Sequence, residues 1–261
     1  MDQVQGVRPN SEGDRAEIQA EDASPQRGEL LMTTPTLEEM RFLVAYAKAD
    51  PDYFWASVLG CDTAYGKQLE MARAVRDHKR VAVVGANGTG KDWMAARVML
   101  WWQMVHHPAI TVVLGPTHRQ VSDIVWKEAR SAYLSARMPL GGRMYQTARW
   151  ELDDRHYAVG FATDDQYNIQ GFHSPNLLVI ITEAHNVEQS HIDAVKRLNP
   201  ARMLLTGNAF ASSGEFYDAF HGGSDLYRTI EISAADTPNI QQGREVIPGM
   251  VTADQVEERR R

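Results

Sequence analysis

Short apolar runs alternate with longer segments of helical periodicity along the chain between residues 80 and 232. A continuous apolar run bounded by polar residues is typical of a strand that is buried on both faces of a sheet. Such runs predict strands at residues 80–84, 110–114, 157–161, 177–181 and 202–206, and the less apolar segment at residues 228–232 is predicted to be a further strand. Apolar residues at helical spacing predict helices between them, at about residues 91–106, 118–136, 189–197 and 214–220. This alternation predicts an α/β fold with a mostly parallel sheet and helices on both of its faces.

The chain before the first strand contains two more segments of helical periodicity, TPTLEEMRFLVAYAKAD and YGKQLEMARAVRDH. The first begins with Thr36, and Glu39 follows it at the spacing of a capping box. In a capping box each of the two side chains accepts a hydrogen bond from the backbone N–H of the other residue. We therefore expect a helix that begins directly after Thr36.

Three regions are predicted along the chain. Residues 1–33 are rich in Gly, Asp, Glu, Arg and Gln and lack hydrophobic periodicity, which predicts a disordered tail. Residues 36–235 contain no internal repeat and no strong linker, so we expect one ATPase domain at residues 34–238. Residues 239–261 end in the charged segment MVTADQVEERRR, which predicts the start of a linker. We therefore expect the chain to be a piece of a longer protein.

The composition narrows the classes of protein further. The chain has 261 residues, of which 43% are hydrophobic, enough for a sizeable core. The net charge of −7 argues against a protein that coats nucleic acid with its whole surface, although it leaves room for a local basic patch. Cys61 is the only cysteine, which excludes an intrachain disulfide. No apolar run reaches about 18 residues, and the N-terminus lacks an apolar signal core, so no membrane segment is predicted.

The segment VAVVGANGTGKDW places a glycine-rich loop between a predicted strand and a predicted helix. The pattern G-x-x-x-x-G-K surrounds phosphates with backbone N–H groups at a helix N-terminus, and its lysine reaches the β and γ phosphates. We therefore predict that ATP binds here; the alternative is a turn that merely bends the chain. The amide of Gln68 can read the adenine edge, unless it is an ordinary surface glutamine. The predicted nucleotide-binding residues are Gly85, Ala86, Asn87, Gly88, Thr89, Gly90, Lys91, Asp92 and Gln68.

The segment LLVIITEAHNV predicts a buried strand that ends in Thr182 and Glu183. A carboxylate at this place polarises the water that attacks the γ-phosphate, so Glu183 is the predicted catalytic residue. The alternative is a carboxylate that stabilises a helix N-terminus.

Two residues depart from the usual magnesium site of such enzymes. Asp92 stands where a hydroxyl is usual, and Thr182 stands where a carboxylate is usual. We hypothesise that the two ligands are exchanged, with Asp92 supplying the carboxylate that Thr182 lacks. Both would then contact Mg²⁺ through its water shell, because Mg²⁺ accepts oxygen ligands and keeps several waters. The competing reading is that Thr182 weakens Mg²⁺ binding and leaves a poor or inactive ATPase.

The segment MLLTGNAF predicts a strand that ends in Thr206, Gly207 and Asn208. Polar groups at the carboxyl end of a strand lie beside the ligand in open α/β sheets. Thr206 or Asn208 is therefore a candidate sensor of the γ-phosphate, and the alternative is an ordinary turn.

The order of these motifs resembles the ATPase domain of phage terminase large subunits, over residues 38–240. The resemblance is carried by Gln68 and by GANGTGKD, THRQVSDIVWKEAR, PLGG, IQGFHSPNLLVIITEAH and LLTGNAFASSGEFYDAF. It implies a RecA-like ATPase fold, Mg²⁺-dependent ATP hydrolysis and a homo-oligomeric ring that drives double-stranded DNA into a procapsid. It also implies a portal protein and a small terminase subunit as partners, in the cytoplasm of the infected host cell. By the same resemblance, Thr206-Gly207-Asn208 matches the motif that couples hydrolysis to movement. No nuclease activity is expected of this chain.

No sequence motif identifies the arginine finger or the residues that contact DNA. The pair Gln170-Gly171 stands where some terminases have Arg-Gly. The alternatives for the finger, each otherwise a surface arginine, are Arg143, Arg149 and Arg155. Four basic residues recur on one predicted helix: Arg119, Lys127, Arg130 and Arg137. They could contact DNA phosphates, and a solvent-exposed helix face explains them equally well. The histidines show no metal-ligand spacing such as HExxH, and His185 is assigned no role.

Two other functions compete with a packaging motor. The tetrapeptide TEAH echoes the box of DEAH-like helicases, but a helicase of that type needs a second RecA-like domain. A nucleotide-binding assembly module with a degenerate magnesium site would bind ATP without hydrolysing it. Turnover separates the module from the motor, and unwinding of a tailed duplex separates the helicase from both.

Overall fold

The computed structural model describes residues 36–163, 171–222 and 225–260, and the predictions for residues 1–33 and Gln170 lie outside these ranges. Eight strands among the described residues form one sheet. They are β1 (Arg80–Gly85), β2 (Ala109–Gly115), β3 (Arg143–Met144), β4 (Arg149–Asp153), β5 (His156–Ala162), β6 (Asn176–Ile181), β7 (Arg202–Gly207) and β8 (Arg228–Ile232).

The strand order across the sheet is β3-β4-β5-β2-β6-β7-β1-β8. The six neighbouring strands β5, β2, β6, β7, β1 and β8 pair in parallel. At one edge, β4 pairs antiparallel with β5, and β3 pairs antiparallel with β4. The predicted fold class is therefore confirmed, and each of the six predicted strands lies within an observed one. The hairpin of β3 and β4 was not predicted, although β4 (RWELD) alternates between polar and apolar residues, a pattern typical of a half-buried strand.

The helices cover both faces of the sheet. They are α1 (Leu37–Ala49), α2 (Pro51–Tyr53), α3 (Gly66–Asp77), α4 (Lys91–Val105), α5 (Trp126–Ser135), α6 (Gln189–Arg197), α7 (Glu215–Phe220), α8 (Pro238–Gln241) and α9 (Ala253–Arg260). The helix expected over residues 118–136 is instead a π-helical segment at 120–125 followed by α5. The capping box of α1 is present, with the Glu39 backbone N–H donating to Thr36 Oγ1 over 3.2 Å.

Apolar side chains from the sheet form a core on each face. One core packs β1 and β2 against α3, α4 and α5, and the other packs β6 and β7 against α6 and α7. Helix α4 is buried around most of its circumference, which explains its nearly continuous apolar sequence VMLWW. Among the described residues, no helix has the length and apolar character needed to cross a bilayer.

Gly160 on β5 allows α5 to pack closely on the sheet. A Cβ at this position would lie 2.2 Å from Trp126 Nε1 and 2.6 Å from Val121 Cγ1, and Trp126 is fully buried. We expect Gly160→Ala to destabilise the protein by about 3 kcal/mol through overpacking. The melting temperature should then fall by roughly 6–12 °C. Thermal unfolding measures this, with Gly66→Ala as control because a Cβ there meets nothing within 4 Å. Equal melting temperatures for the two variants would contradict the packing argument.

Candidate active site

The glycine-rich loop connects β1 to α4 at the carboxyl end of the sheet. Gly88 and Gly90 have φ of 77° and 78°, in the left-handed region that glycine adopts most readily. Gly90 is the N-cap of α4, and among the described residues no side chain caps this end of the helix. The backbone N–H groups of the first turn are therefore available to an anion, in the positive end of the helix dipole.

Lys91 links the loop to the end of β7. Its side chain is buried, and Nζ donates to Gly85 O and Ala86 O over 3.0 Å each and to Asn208 Oδ1 over 2.8 Å. Burial lowers the pKa of the Lys91 ammonium, while the nearby Glu183 and Asp92 carboxylates oppose this shift. The structure thus brings together residues from three separate predicted motifs.

Asp92 and Thr182 meet directly, although 90 residues separate them. The Thr182 hydroxyl donates to Asp92 Oδ1 over 2.5 Å, and Gln120 Nε2 donates to Asp92 Oδ2 over 3.2 Å. Burial raises the pKa of the Asp92 carboxyl, and the hydrogen bond from Thr182 counteracts this. Asp92 and Thr182 offer oxygen atoms as metal ligands. This pair therefore fits Mg²⁺, which prefers oxygen ligands.

Glu183 follows β6 in a left-handed backbone conformation, with φ 49° and ψ 41°. This conformation is uncommon for a residue other than glycine and clusters at functional sites. The carboxylate lines the same cleft as Lys91 and Asp92. Burial raises the pKa of the Glu183 carboxyl, and the Lys91 ammonium lowers it.

His185 lies between Glu183 and the end of β7, a position that the sequence did not indicate. Its Nδ1 accepts a hydrogen bond from the Asn208 backbone N–H over 3.1 Å and lies 3.3 Å from Glu183 Oε2. Because Nδ1 accepts a bond, we assign the imidazole hydrogen to Nε2. The imidazole thus lies between the Glu183 carboxylate and the predicted coupling motif.

The predicted coupling motif packs closely against this histidine. A Cβ at Gly207 would lie 3.0 Å from His185 Nδ1 and 3.0 Å from the ring of Phe216, so a larger residue would displace one of them. Thr206 is buried, and its hydroxyl has no hydrogen-bond partner among the described residues. An unpaired buried hydroxyl is rare in native proteins and is often found at functional sites.

A cleft of about 370 Å³ lies beside the loop. Gln68 lines it and is 2% exposed, so it is not a surface glutamine. A Cβ at Gly90 would lie 2.7 Å from Gln68 Nε2, which places the amide directly against the phosphate loop. The other wall is residues 247–250, and the Val251 backbone N–H donates to Gly88 O over 2.9 Å. This contact of the C-terminal segment with the loop was not anticipated.

Solved structures of phage large terminases share this fold. The ATPase domain of the Thermus phage P74-26 large terminase matches 71% of this chain and 86% of its own, with 15% identity and a TM-score of 0.57. This chain has the fold of a large-terminase ATPase domain. A large terminase of a thermophilic bacteriophage in complex with ADP matches 75% of the chain, with 14% identity and a TM-score of 0.53. The HK97 bacteriophage large terminase matches 74%, with 12% identity and a TM-score of 0.51.

The chain corresponds to about half of the longer terminases, namely 49% of the ADP-bound chain and 47% of the HK97 chain. No protein-family model matches the sequence, and no curated protein matches it. At these identities the likeness concerns the terminase fold, and the roles of individual residues remain predictions.

The three candidate finger arginines of this terminase fold lie on the antiparallel part of the sheet. Arg143 starts β3, Arg149 starts β4 and Arg155 lies in the turn before β5. The strands β5 and β2 separate this hairpin from β6, which carries Glu183 at its end. Arg149 Nε is 2.9 Å from Glu151 Oε2. The position of these arginines is thus remote from the cleft of their own chain.

Proposed function

We propose that this chain is the ATP-hydrolysing motor domain of a viral terminase large subunit, which drives double-stranded DNA into a procapsid. The observation that carries the proposal is the meeting of Lys91, Glu183 and Asn208 at the carboxyl ends of three strands in a large-terminase fold. Ligands bind at this edge in open α/β sheets. A solved neighbour with bound ADP adds support for a nucleotide as the ligand.

Each group in the cleft has a task in ATP hydrolysis. Backbone N–H groups of the loop and the Lys91 ammonium hold the phosphates. Bound Mg²⁺ would be held by Asp92 and Thr182 through its waters, and it supplies positive charge against the phosphate oxygens. Glu183 accepts a hydrogen bond from the attacking water and so orients it. His185 Nδ1 accepts the Asn208 backbone N–H, so its proposed task is to hold the end of β7 beside Glu183.

Asn208 is placed to report nucleotide occupancy to the rest of the chain. Its side chain accepts a bond from Lys91, and its backbone N–H donates to His185. When Lys91 turns to a phosphate it must release at least one of its three present acceptors, and release of Asn208 is the step that we propose to signal occupancy. The end of β7 therefore responds to the nucleotide at the place where the predicted coupling motif lies.

The hypothesis that Asp92 and Thr182 exchange their roles as magnesium ligands can be tested by substitution. Asp92→Ser removes the only carboxylate of the Asp92–Thr182 pair, so we expect turnover at limiting Mg²⁺ to fall at least about 10-fold. The double variant Asp92→Ser/Thr182→Asp restores the usual arrangement with the same charge, and we expect turnover to recover. ATP hydrolysis measured against Mg²⁺ concentration checks both, with Asp123→Ser, an exposed carboxylate, as control.

The single variant Thr182→Asp separates the two readings of the site. It puts a second carboxylate against Asp92, so repulsion should lower turnover if Asp92 already serves the metal. A wild type that binds ATP without turnover, and a Thr182→Asp variant that hydrolyses it, would overturn the exchange. That result would favour the nucleotide-binding assembly module, for which the Asp92–Thr182 hydrogen bond is the supporting observation.

The partners follow from the same proposal. They are double-stranded DNA, a portal protein, a small terminase subunit and neighbouring copies of this chain in a ring, in the cytoplasm of the infected host cell. Arg119 and Lys127 are exposed and are the better candidates for phosphate contacts. Arg130 and Arg137 already donate to backbone carbonyls of their own chain. The hairpin arginines lie far from the cleft of their own chain, so we propose that the arginine finger comes from a neighbouring copy.

ATP turnover at high protein concentration, with and without blunt duplex DNA, tests the motor proposal. A ring motor completes its site with a neighbour, so turnover should rise with protein concentration. A tailed duplex serves as the second substrate. Its unwinding would identify a helicase and overturn the packaging proposal.

A further inference from the structure

Three side chains with metal-binding atoms meet at the end of the sheet opposite the nucleotide cleft. His107 lies between α4 and β2, Asp153 ends β4, and His156 begins β5. Since β2 and β5 are parallel, His107 and His156 lie at the amino ends of their strands. The glycine-rich loop and Glu183 lie at the carboxyl ends. This cluster is therefore separate from the proposed ATPase site.

The distances in the cluster suit a shared ion. His107 Nε2 lies 3.2 Å from Asp153 Oδ2, and the rings of His107 and His156 have centroids 4.9 Å apart. One ligand atom from each of the three residues lies within 4.8 Å of the other two. Zinc bonds of about 2.0–2.1 Å place tetrahedral ligands about 3.4 Å apart. The His107 and Asp153 side chains are 70% and 50% exposed, so small rotations close the difference.

The buried member of the cluster is already oriented for binding. His156 is 4% exposed, and its Nε2 lies 2.8 Å from the carbonyl oxygen of Gln103. A carbonyl only accepts hydrogen bonds, so we assign the ring hydrogen to Nε2 and a lone pair to Nδ1. Metal-binding histidines commonly have such a carbonyl partner on the other ring nitrogen. The unprotonated Nδ1 is therefore the atom offered to an ion.

The carboxylate is held in a similar way. The Arg155 backbone N–H donates to Asp153 Oδ1 over 2.8 Å, which leaves Oδ2 on the side of His107. The two nitrogen donors and one oxygen donor suit zinc and its neighbours in the first transition series, whereas Mg²⁺ and Ca²⁺ prefer sites made of oxygen. Three protein ligands leave a fourth tetrahedral position for water.

We propose that His107, Asp153 and His156 form a binding site for a divalent transition-metal ion, with Zn²⁺ as the preferred ion. The ion ties the connection between α4 and β2 to the turn between β4 and β5. It thereby fixes the antiparallel hairpin, which is otherwise attached to the sheet through β5 alone. The sequence concealed this site, because His107 and His156 are far apart in the chain and share no short motif.

The test uses the whole chain without a histidine tag, in buffer with excess Mg²⁺ and no nucleotide. Calorimetric titration with ZnCl₂ should show one saturable site. Co²⁺ should give the visible absorption of a four-coordinate ion, and saturating Zn²⁺ should raise the melting temperature by roughly 5 °C. His107→Ala and Asp153→Asn should each weaken Zn²⁺ binding at least about 100-fold. Both residues are exposed, so these variants should fold normally.

His173→Ala is the matched control, since this histidine is exposed and lies outside the cluster. It should bind Zn²⁺ like the wild type. Absence of saturable binding would overturn the proposal, and so would equal affinity in the His107→Ala variant. Loss of the ion in Asp92→Asn instead of His107→Ala would place it in the nucleotide cleft and would also overturn it. ATP hydrolysis by His107→Ala should equal that of the wild type, so failure of this site and failure of the ATPase proposal are distinguishable.

Discussion

Replacing Glu183 by glutamine should lower the rate of ATP hydrolysis at least about 100-fold, with little change in ATP affinity. The glutamine amide has nearly the same shape as the carboxylate, so the left-handed backbone should be retained. An amide does not draw a proton from the attacking water as a carboxylate does. The loss therefore concerns the chemical step, and it should appear in kcat and not in the affinity for nucleotide.

The matched control is Glu188→Gln, the same change at an exposed carboxylate of the neighbouring helix cap. Both variants should be assayed at high protein concentration, because a neighbouring copy is expected to complete the site. Separate measurements of ATP binding and of kcat distinguish loss of chemistry from loss of nucleotide. Wild-type kcat in the Glu183→Gln variant would show that Glu183 is only a carboxylate near a helix terminus.

Replacing Lys91 by methionine should weaken ATP binding by roughly 30-fold or more. Methionine retains much of the length of the side chain and removes its charge. Removing one partner of a buried, hydrogen-bonded charge pair costs about 2 kcal/mol or more, and about 1.4 kcal/mol corresponds to a tenfold change in affinity. Equilibrium binding of a fluorescent ATP analogue measures this loss.

Lys67→Met on α3 is the control for Lys91→Met. Lys67 is half-buried in an ion pair with Glu70, 3.1 Å away, and it flanks Gln68 without lining the cleft. Melting temperatures should accompany the binding data, because Lys91→Met also removes the ammonium that donates to Asn208 Oδ1, Gly85 O and Ala86 O, of which Ala86 O keeps the Thr89 hydroxyl as a donor. Equal ATP affinity in the wild type and in a folded Lys91→Met variant would exclude Lys91 as a phosphate ligand.

Much of the fold could be read from the order of residues, because strands and helices depend on periodicity within short segments. The apolar runs of β1, β2, β5, β6, β7 and β8 identified their own positions. The hairpin of β3 and β4 could not be read in this way. Its short strands carry charged residues such as Arg149 and Glu151, and only Trp150 is fully buried. The alternation in β4 is a local strand pattern that was overlooked, whereas β3 has only two residues and is extended through its pairing with β4.

Some residues of the candidate site could be predicted from the sequence, and others were found only in the structure. The glycine-rich loop could be predicted because its residues are adjacent in the chain and their spacing is typical of phosphate binding. Gln68 was predicted beside the nucleotide on its position upstream, and the structure places it against Gly90. His185 and residues 247–251 gave no comparable signal. They reach the site only through the path of the folded chain.

The α/β class and the parallel strands could be predicted from the sequence and are confirmed, because they follow from local periodicity, and adjacent spacing predicts the residues that a nucleotide would need. Only the tertiary structure decided which distant groups touch. It placed Thr182 on Asp92, Asn208 on Lys91 and His185, and His107 beside Asp153 and His156. Contacts of this kind depend on strand order and register, which are fixed by the packing of the whole domain and cannot be read from any short segment.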